Sequence, residues 1–326
     1  MDRLRRTFSA ARLWENREPM RKTPLKLKEF PLVAQDRSRD IHNLSDTNLL
    51  VVYTDRLYAY DVEMQNTVPG KGVMLNQISN YWMNRFTHLT DNHLVAASEG
   101  KGLPEALQPY ASALSGRYAV VRKIKPLPFQ FLTIGSLGGS DWQSYKENGI
   151  VRGQFLPRGL QESERMEPAV LAPIPTGDTD RNDDGRKRAL RLLGQKLFTE
   201  VEEVCLSIFG VARNYATARG LTVADARFEF GLVDGNLCII NEVMTPDVAT
   251  YWPGDPVPGE PQPVFERQNM YNWLKVQRWN PKQPPPPLPD LLIKEVVKHY
   301  RTVHDIMTGK VTTLKKQEEA EQMEMG

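Results

Sequence analysis

An Asp-Gly dipeptide, Asp234-Gly235, lies between two strand-like runs, Arg227–Leu232 and Leu237–Val243. Asp-Gly is a strong signal for a two-residue hairpin turn, because such turns need positive φ at both central positions. The flanking runs are rich in the aromatic and β-branched residues that strands prefer. The feature therefore predicts an antiparallel hairpin, and the alternation of a strand places Arg227 and Glu229 on one face of it.

The rest of the chain mixes strands and helices. The predicted strands are Asn48–Tyr53, Tyr118–Ile124 and Phe129–Ile134, and the predicted helices are Leu75–Leu89, Ala189–Ala218 and Leu291–Met307. Between them we expect a long loop over 157–187 and an extended proline-rich segment over Pro281–Pro289. This order predicts an α+β protein with two lobes. We expect an N-terminal extension over 1–30, a smaller β-rich lobe over 31–122, and a larger α+β lobe over 123–326 with a C-terminal helix.

Composition narrows the class of protein. The 326 residues include 42 Lys and Arg against 40 Asp and Glu, and this net charge of +2 gives no reason to expect a nucleic-acid partner. No apolar run approaches the ~18 residues of a membrane span, and the basic N-terminus lacks the apolar core of a secretory signal. The two cysteines, Cys205 and Cys238, lie among apolar neighbours and make neither a disulfide framework nor a zinc cluster. We expect a cytoplasmic protein with both thiols in its core.

The hairpin carries the first candidate site. Glu229, Asn241 and Asp247 facing one cleft would hold a hard divalent ion, and Arg227 beside them would bind phosphate. The alternative is an exposed hairpin whose charged face is merely solvated, and spacing alone favours that alternative.

A second candidate site follows the strand Asn48–Tyr53. Asp55 and Arg56 leave this strand, and Asp61 precedes the turn that contains Lys71. Ligands often bind where buried strands end, but strands also end in water. A third candidate is the glycine-rich turn Ile134–Trp142, whose Ser140 and backbone N–H groups could approach a phosphate. The sequence contains no Walker A motif, Rossmann fingerprint or nucleophile elbow, and its five histidines lack metal-ligand spacing.

Several segments together resemble the SAICAR synthetase family. They are TDRLYAYDV, VPGKGVMLNQISNYW, VVRKIKPLP, GSLGGSDWQSY, LPRGLQESE, FEFGL, NEVMTPD with YWP, FERQ, PPPPLPD and MTGK. They follow the family's order from about residue 35 to residue 310. The resemblance implies a two-lobed fold with an ATP cleft between the lobes. It also implies a reaction in which ATP and Mg²⁺ phosphorylate a carboxylate and the amine of aspartate then attacks the acyl phosphate.

The resemblance also assigns roles to individual residues. Catalytic roles fall on Arg227, Asp247, Asp55 and Arg56; nucleotide binding on Arg37, Arg39, Lys123, Lys125, Leu127 and Glu229; the metal on Glu229 and Asn241; and substrate binding on Ser140, Ile134, Thr250, Asp61 and Lys71.

The chain departs from the family pattern at several of these positions. Asp36 replaces the glycine of the phosphate loop, and Asn241 replaces a metal-site aspartate. Ile134 and Thr250 stand where the family has the two arginines that hold the ribotide phosphate. The family's later loop is altered over 174–177 and 181–183. Losing two guanidiniums weakens phosphate binding, because each charged hydrogen bond contributes ~1.5–3 kcal/mol.

Three interpretations follow. In the first, the chain is a SAICAR synthetase whose substrate pocket has changed in sequence. In the second, it is a related amide ligase whose acceptor lacks the ribose phosphate. In the third, it is a nucleotide-binding protein without catalytic turnover. The missing arginines favour the second interpretation at this point. Its substrates would be a small carboxylate and an amino acid resembling aspartate, without nucleic acid or membrane; a homo-oligomer is left open.

Overall fold

The computed structural model describes residues 25–97, 103–176, 184–265 and 267–316. The strands are β1 (Leu32–Gln35), β2 (Arg39–Asn43), β3 (Asn48–Tyr53), β4 (Arg56–Ala59), β5 (Val62–Thr67), β6 (Asp91–Asn92), β7 (Leu94–Ala97), β8 (Tyr118–Arg122), β9 (Phe129–Ser136), β10 (Ile150–Val151), β11 (Gln154–Phe155), β12 (Arg165–Pro175), β13 (Leu221–Val233), β14 (Asn236–Ile240) and β15 (Ala249–Pro253). The helices are α1 (Lys71–Arg85), α2 (Ala111–Leu114), α3 (Gly139–Asn148), α4 (Gly185–Thr217), α5 (Gln268–Val276) and α6 (Asp290–Met307), with a short 3₁₀ helix at Glu105–Tyr110. The predicted α+β class is confirmed.

The chain divides into two compact units, each discontinuous in sequence. Unit 1 comprises Met1–Gln77, Val95–Val121 and Arg267–Arg301, and unit 2 comprises Ile78–Leu94, Arg122–Glu266 and Thr302–Gly326. The predicted boundaries were contiguous, so this division differs from them at two segments. The proline-rich segment belongs to unit 1, where Leu288 N–H donates to Asn66 Oδ1 at 2.7 Å. Such pairing between distant parts of the chain is invisible to a reading of local composition.

Unit 1 is built on a five-stranded sheet in the order β1-β2-β3-β8-β7. Strands β1, β2 and β3 pair antiparallel, with Arg39 opposite Tyr53 and Asn43 opposite Leu49. One face of the sheet packs into a small apolar core. Its members include Leu50, Val52, Leu107, Leu114 and Val120.

Unit 2 is built on a six-stranded sheet. Its path is β12-β9-β13-β14-β6, and β15 also pairs with β13. The long helix α4 packs on one face; Cys205, Ile208 and Phe209 share a core with Phe131 and Phe228. Gly135 is required here, because a Cβ at this position would lie 2.7 Å from the Phe209 ring. On the opposite face, β13 carries polar side chains, whereas Leu132 and Ile134 of β9 pack in a second apolar cluster.

Both thiols lie in the interior, as the sequence predicted. Cys205 and Cys238 are buried and free. Burial raises the pKa of the Cys205 thiol well above its usual value, and burial also raises the pKa of Cys238. Since the thiolate is the reactive form, neither residue is a candidate nucleophile.

The segment predicted as a loop over 157–187 contains a long strand. Strand β12 pairs antiparallel with β9, with Ala172 opposite Leu132. Its prolines indicate a loop when read locally, but β12 is an edge strand, where a missing N–H can be tolerated. Helix α4 begins at Gly185, four residues earlier than predicted, and Asp184 caps it by accepting the Lys187 N–H. Among the described residues, no helix has the length and hydropathy needed to span a membrane.

Candidate functional site

The polar face of the unit 2 sheet carries a line of charged residues. On β13, the alternate positions Asp225, Arg227 and Glu229 share one face, because successive strand side chains point to opposite sides. Ile134 on β9 is the register partner of Asp225, and Leu132 is the partner of Arg227. With ~6.8 Å between alternate residues, the line from Glu229 to Asp225 extends about 14 Å. The antiparallel pairing of β13 with β14 confirms the predicted hairpin, and β9 pairs with β13 along the charged residues.

Two amides hold Glu229 at one end of this line. Gln130 donates from Nε2 to Oε1 of Glu229 at 3.0 Å. Asn241 donates from Nδ2 to Oε2 of the same carboxylate. Asn241 directly follows β14 and has a φ of 64°, a left-handed conformation that asparagine adopts more readily than most residues. The sequence analysis predicted that Glu229 and Asn241 lie together, but it did not include Gln130. The alternation of polar and apolar residues in FQFLT was the signal that could have placed Gln130 on the polar face.

The donor set around Glu229 fits magnesium only in part. Across the described ranges, no three His, Cys, Asp or Glu side chains are grouped so that they could hold a metal. Glu229 instead offers one carboxylate, and rotation of either amide would present its oxygen to an ion. Mg²⁺ commonly takes one or two protein carboxylates and completes its shell with phosphate oxygens and water. These residues therefore suit a magnesium ion that arrives with a phosphate-bearing ligand.

The segment Lys123–Leu127 runs along β13 beside this cluster. Pro126 bridges to Gly231, and the Leu127 N–H donates to the Phe230 carbonyl at 2.7 Å. A Cβ at Gly231 would lie 2.6 Å from the Lys125 carbonyl oxygen. The glycine of FEFGL is thus required by the close approach of the two chains. Lys123 and Lys125 are exposed and Leu127 packs against the core, which leaves the two lysines open to a ligand.

The middle of the line contains Arg227 and lies next to the loop that carries Asp247. Arg227 donates its backbone N–H to the Val248 carbonyl at 2.8 Å. The Arg227 side chain is exposed, whereas Asp247 is half-buried. Within the same loop, Thr245 donates its hydroxyl to the buried carboxylate of Glu242. The loop therefore holds Asp247 beside the strand that carries Arg227.

The far end of the line joins the two positions where family arginines are missing. Asp225 is the register partner of both Ile134 and Thr250, so the three form one row across β9, β13 and β15. Ile134 is only 2% exposed and packs in an apolar cluster with Leu132 and Leu137. The row thus presents a carboxylate between an aliphatic and a hydroxyl side chain. The sequence analysis did not predict that Asp225 lies between Ile134 and Thr250.

The third predicted segment lies near this row. Ser140 is exposed on the first turn of α3, where Asp141 pairs with Arg152 at 2.9 Å. Residue 177 and residues 181–183, the altered family loop, lie outside the described residues.

In unit 1, the predicted cluster at Asp55 is interior. Arg56 and Asp40 are each 1% exposed and pair at 2.7 Å. Asp55 accepts the Gly72 N–H at 2.9 Å and pairs with Arg117. Lys71 is buried and donates from Nζ to the Arg56 carbonyl at 2.9 Å. These bonds tie strands β2 and β4 to the start of α1 and give Asp55, Arg56 and Lys71 a structural part in unit 1, while their catalytic and substrate-binding roles stay predictions.

The predicted phosphate loop of unit 1 is closed by Asp36. Its carboxylate accepts the backbone N–H groups of Ser38 and Arg39 and binds the Arg39 guanidinium, with Nε at 2.8 Å. Arg39 is therefore held within the loop. Arg37 pairs on the surface with Asp61, and their side chains are 58% and 80% exposed. Because exposed pairs are weak, Arg37 is the more available of the two predicted phosphate ligands.

Comparison with known proteins identifies relatives along most of the chain. The SAICAR synthetase family model matches residues 32–286. A phosphoribosylaminoimidazole-succinocarboxamide synthase of Maridesulfovibrio salexigens is 38% identical over 86% of this chain and 95% of its own length. The synthase of the same name from Geobacter metallireducens is 37% identical over 86% and 97%. A structure of the Saccharomyces cerevisiae SAICAR synthase complexed with SAICAR superposes with a TM-score of 0.81 at 30% identity, covering 88% of this chain and 98% of that one.

Proposed function

Because this chain belongs to the SAICAR synthetase family, we propose that it forms an amide at the expense of ATP, joining the carboxylate of an imidazole ribotide to the amine of aspartate. Relatives named for this synthesis match over at least 95% of their own length at 37–38% identity. That extent of similarity is the observation that supports the purine-pathway reaction above an altered acceptor, the interpretation that the missing arginines favoured.

The proposed chemistry has two steps. A carboxylate oxygen attacks the γ-phosphorus of ATP, the bond to ADP breaks, and an acyl phosphate forms. The uncharged amine then attacks the acyl carbon, phosphate leaves, and the amine proton passes to a base. Both steps need cations around the phosphoryl oxygens and a carboxylate near the amine.

The residues of unit 2 suit these needs. Glu229, with the amides of Gln130 and Asn241, would hold Mg²⁺, which neutralises phosphate charge when it is bound. The exposed Arg227 guanidinium would bind the transferring phosphoryl group through charge-assisted hydrogen bonds. Asp247, held by the loop beside β13, is the proposed acceptor of the amine proton. We propose nucleotide-binding roles for Lys123, Lys125 and, in unit 1, Arg37.

One observation favours a second candidate, a ligase for an acceptor without ribose phosphate. In the row Ile134–Asp225–Thr250 no member is a cation, and Asp225 is an acid. A phosphate dianion placed against this row would be repelled by Asp225. The two candidates share every step of the chemistry and differ only in the acceptor.

The test is ADP release by the purified protein with ATP, Mg²⁺ and aspartate. The proposal expects release that depends on the family's imidazole ribotide, and amide product by mass spectrometry. Release with a non-phosphorylated aromatic acid but not with the ribotide would select the second candidate. No release with the ribotide or with any member of a panel of acids and amines would overturn both.

A further inference from the structure

A small cavity in unit 2 lies next to the Asp225 end of the line, because Val223 and Ser136, two residues along β13 and β9 from Asp225 and Ile134, are among its walls. Its volume is about 160 Å³, and its walls include Ser136, Arg165, Arg213, Thr217, Thr222 and Asp255. Drug-sized ligands occupy pockets of roughly 300–1,000 Å³. This cavity therefore suits a metabolite of a few heavy atoms.

Arg213 is the buried charged side chain of the cavity. It projects from α4, is 7% exposed, and donates to the Met166 carbonyl at 3.3 Å and to Glu167 Oε1 at 2.8 Å. Within the described part of the chain, its Nε–H has no hydrogen-bond partner. A buried N–H of a charged group that lacks an acceptor costs free energy. That Nε–H has almost no surface open to the cavity, so the terminal nitrogens of Arg213 are the atoms that could donate to an anionic oxygen of a ligand.

Arg165 adds a second guanidinium beside the first, because both arginines donate to the same oxygen of Glu167. It donates from Nε to Glu167 at 2.7 Å, and its terminal nitrogens remain for a ligand. Glu167 therefore bridges both arginines, and the three groups carry one net positive charge. The hydroxyls of Ser136 and Thr217 offer further donors.

Asp255 determines which anion fits. It is exposed at the cavity and balances the remaining positive charge. A phosphate dianion would be repelled by Asp255 and Glu167, whereas a ligand with one carboxylate and one ammonium would satisfy both ends. We propose that this cavity binds a free α-amino acid, its carboxylate on Arg213 and Arg165 and its ammonium on Asp255.

This inference deepens the proposed function, on which the choice of L-aspartate as one probe rests. The test is calorimetry on the full chain without ATP, using L-aspartate, L-alanine, succinate and inorganic phosphate. We expect the two amino acids to bind saturably and succinate, which lacks the ammonium, to bind at least about ten-fold more weakly. Equal binding of succinate or phosphate, or no binding of either amino acid, would overturn the proposal.

Two variants at exposed positions locate the binding. Arg165→Gln and Asp255→Asn should each weaken amino-acid binding by about ten-fold, since each removes one charged partner. Arg158→Gln and Asp234→Asn, at exposed positions outside the cavity, are the matched controls and should bind normally. Unchanged affinity in both cavity variants would place the ligand elsewhere and overturn the assignment. Because binding is measured without ATP, its failure is distinguishable from a failure of ADP release.

Discussion

Asn241 donates a hydrogen bond to Glu229 across strands β13 and β14. The pair brings together a half-buried carboxylate and an amide that can present either a donor or an acceptor. A carboxylate held in this way is ordered before any ion arrives, and this reduces the entropy lost on binding.

Glu229→Gln should abolish most of the ligase activity. The substitution keeps the shape and both amide neighbours but removes the one carboxylate in the proposed magnesium set. We expect a loss of kcat of about 10²-fold or more, the usual cost of removing a group that stabilises transition-state charge. The melting temperature should change little. Glu200→Gln, on the exposed side of α4, is the matched control, and full activity in Glu229→Gln would exclude this carboxylate from the reaction.

Asn241→Asp should lower the magnesium concentration needed for activity. Aspartate also tolerates the left-handed backbone of this position, and it adds an anionic oxygen beside Glu229. Affinity for a hard cation rises with ligand charge, so the half-saturating Mg²⁺ concentration for ADP release should fall several-fold. Asn236→Asp, at an exposed position of β14, should leave it unchanged. A rise in the Mg²⁺ requirement of Asn241→Asp would contradict the assigned site.

Arg56→Met should lower the free energy of unfolding more than any surface substitution in unit 1. Removing one partner of the buried pair leaves Asp40 as an unpaired interior charge, at a cost of about 3–5 kcal/mol. Arg56→Met with Asp40→Leu should recover part of this loss in urea denaturation. Arg37→Met, which breaks the exposed pair with Asp61, should cost about 1 kcal/mol or less. A stable but inactive Arg56→Met protein would instead support the catalytic role that the sequence predicted.

Ile134→Arg should destabilise unit 2. The new guanidinium would enter an apolar cluster, and the half-buried Asp225 opposite it would compensate only in part. We expect a loss on the order of 3 kcal/mol, measured by chemical denaturation, whereas the half-buried Thr250→Arg should be tolerated. An unchanged stability, together with tighter ribotide binding in the double variant, would mean that both positions face an open phosphate pocket, as the family comparison implied.

Glu167 should make stability depend on acid pH. The hydrogen bond from Arg165 and then the bond and charge of Arg213 lower its pKa below the ordinary value of 4.5, against the opposing effect of burial. A carboxylate with a lowered pKa in the folded state stabilises above its unfolded pKa, and this contribution disappears as pH falls through the folded value. Glu167→Gln should therefore be less stable than the parent chain at pH 7, and the difference should shrink as the pH falls below about 4.

Urea denaturation at pH 7 and at a pH below about 4 measures this difference in the free energy of unfolding. Glu147→Gln, at an exposed position of α3, serves as the control. A difference between the parent chain and Glu167→Gln that stays constant with pH would show that the ion pairs contribute nothing to stability.

Local pattern was sufficient for much of the fold. The Asp234-Gly235 turn needs positive φ at its two residues, and both have it, so the hairpin follows from the sequence alone. The apolar periodicity of Leu75–Leu89 likewise predicted α1, and the predicted helices Ala189–Ala218 and Leu291–Met307 correspond to α4 and α6, each to within four residues. The same reasoning placed Cys205 and Cys238 in the core.

Tertiary structure decided what local pattern could not. Strand β12 contains prolines that read as a loop, and only its pairing with β9 at the sheet edge makes it a strand. The sequence put Asp55, Arg56 and Lys71 among candidate site residues because they follow a buried strand and match family segments, but only the structure shows that all three are buried among partners in unit 1. The register of the strands places Gln130 beside Glu229. It also places Asp225 between Ile134 and Thr250. Register joins residues far apart in the chain, so composition and spacing within one segment carry no information about it.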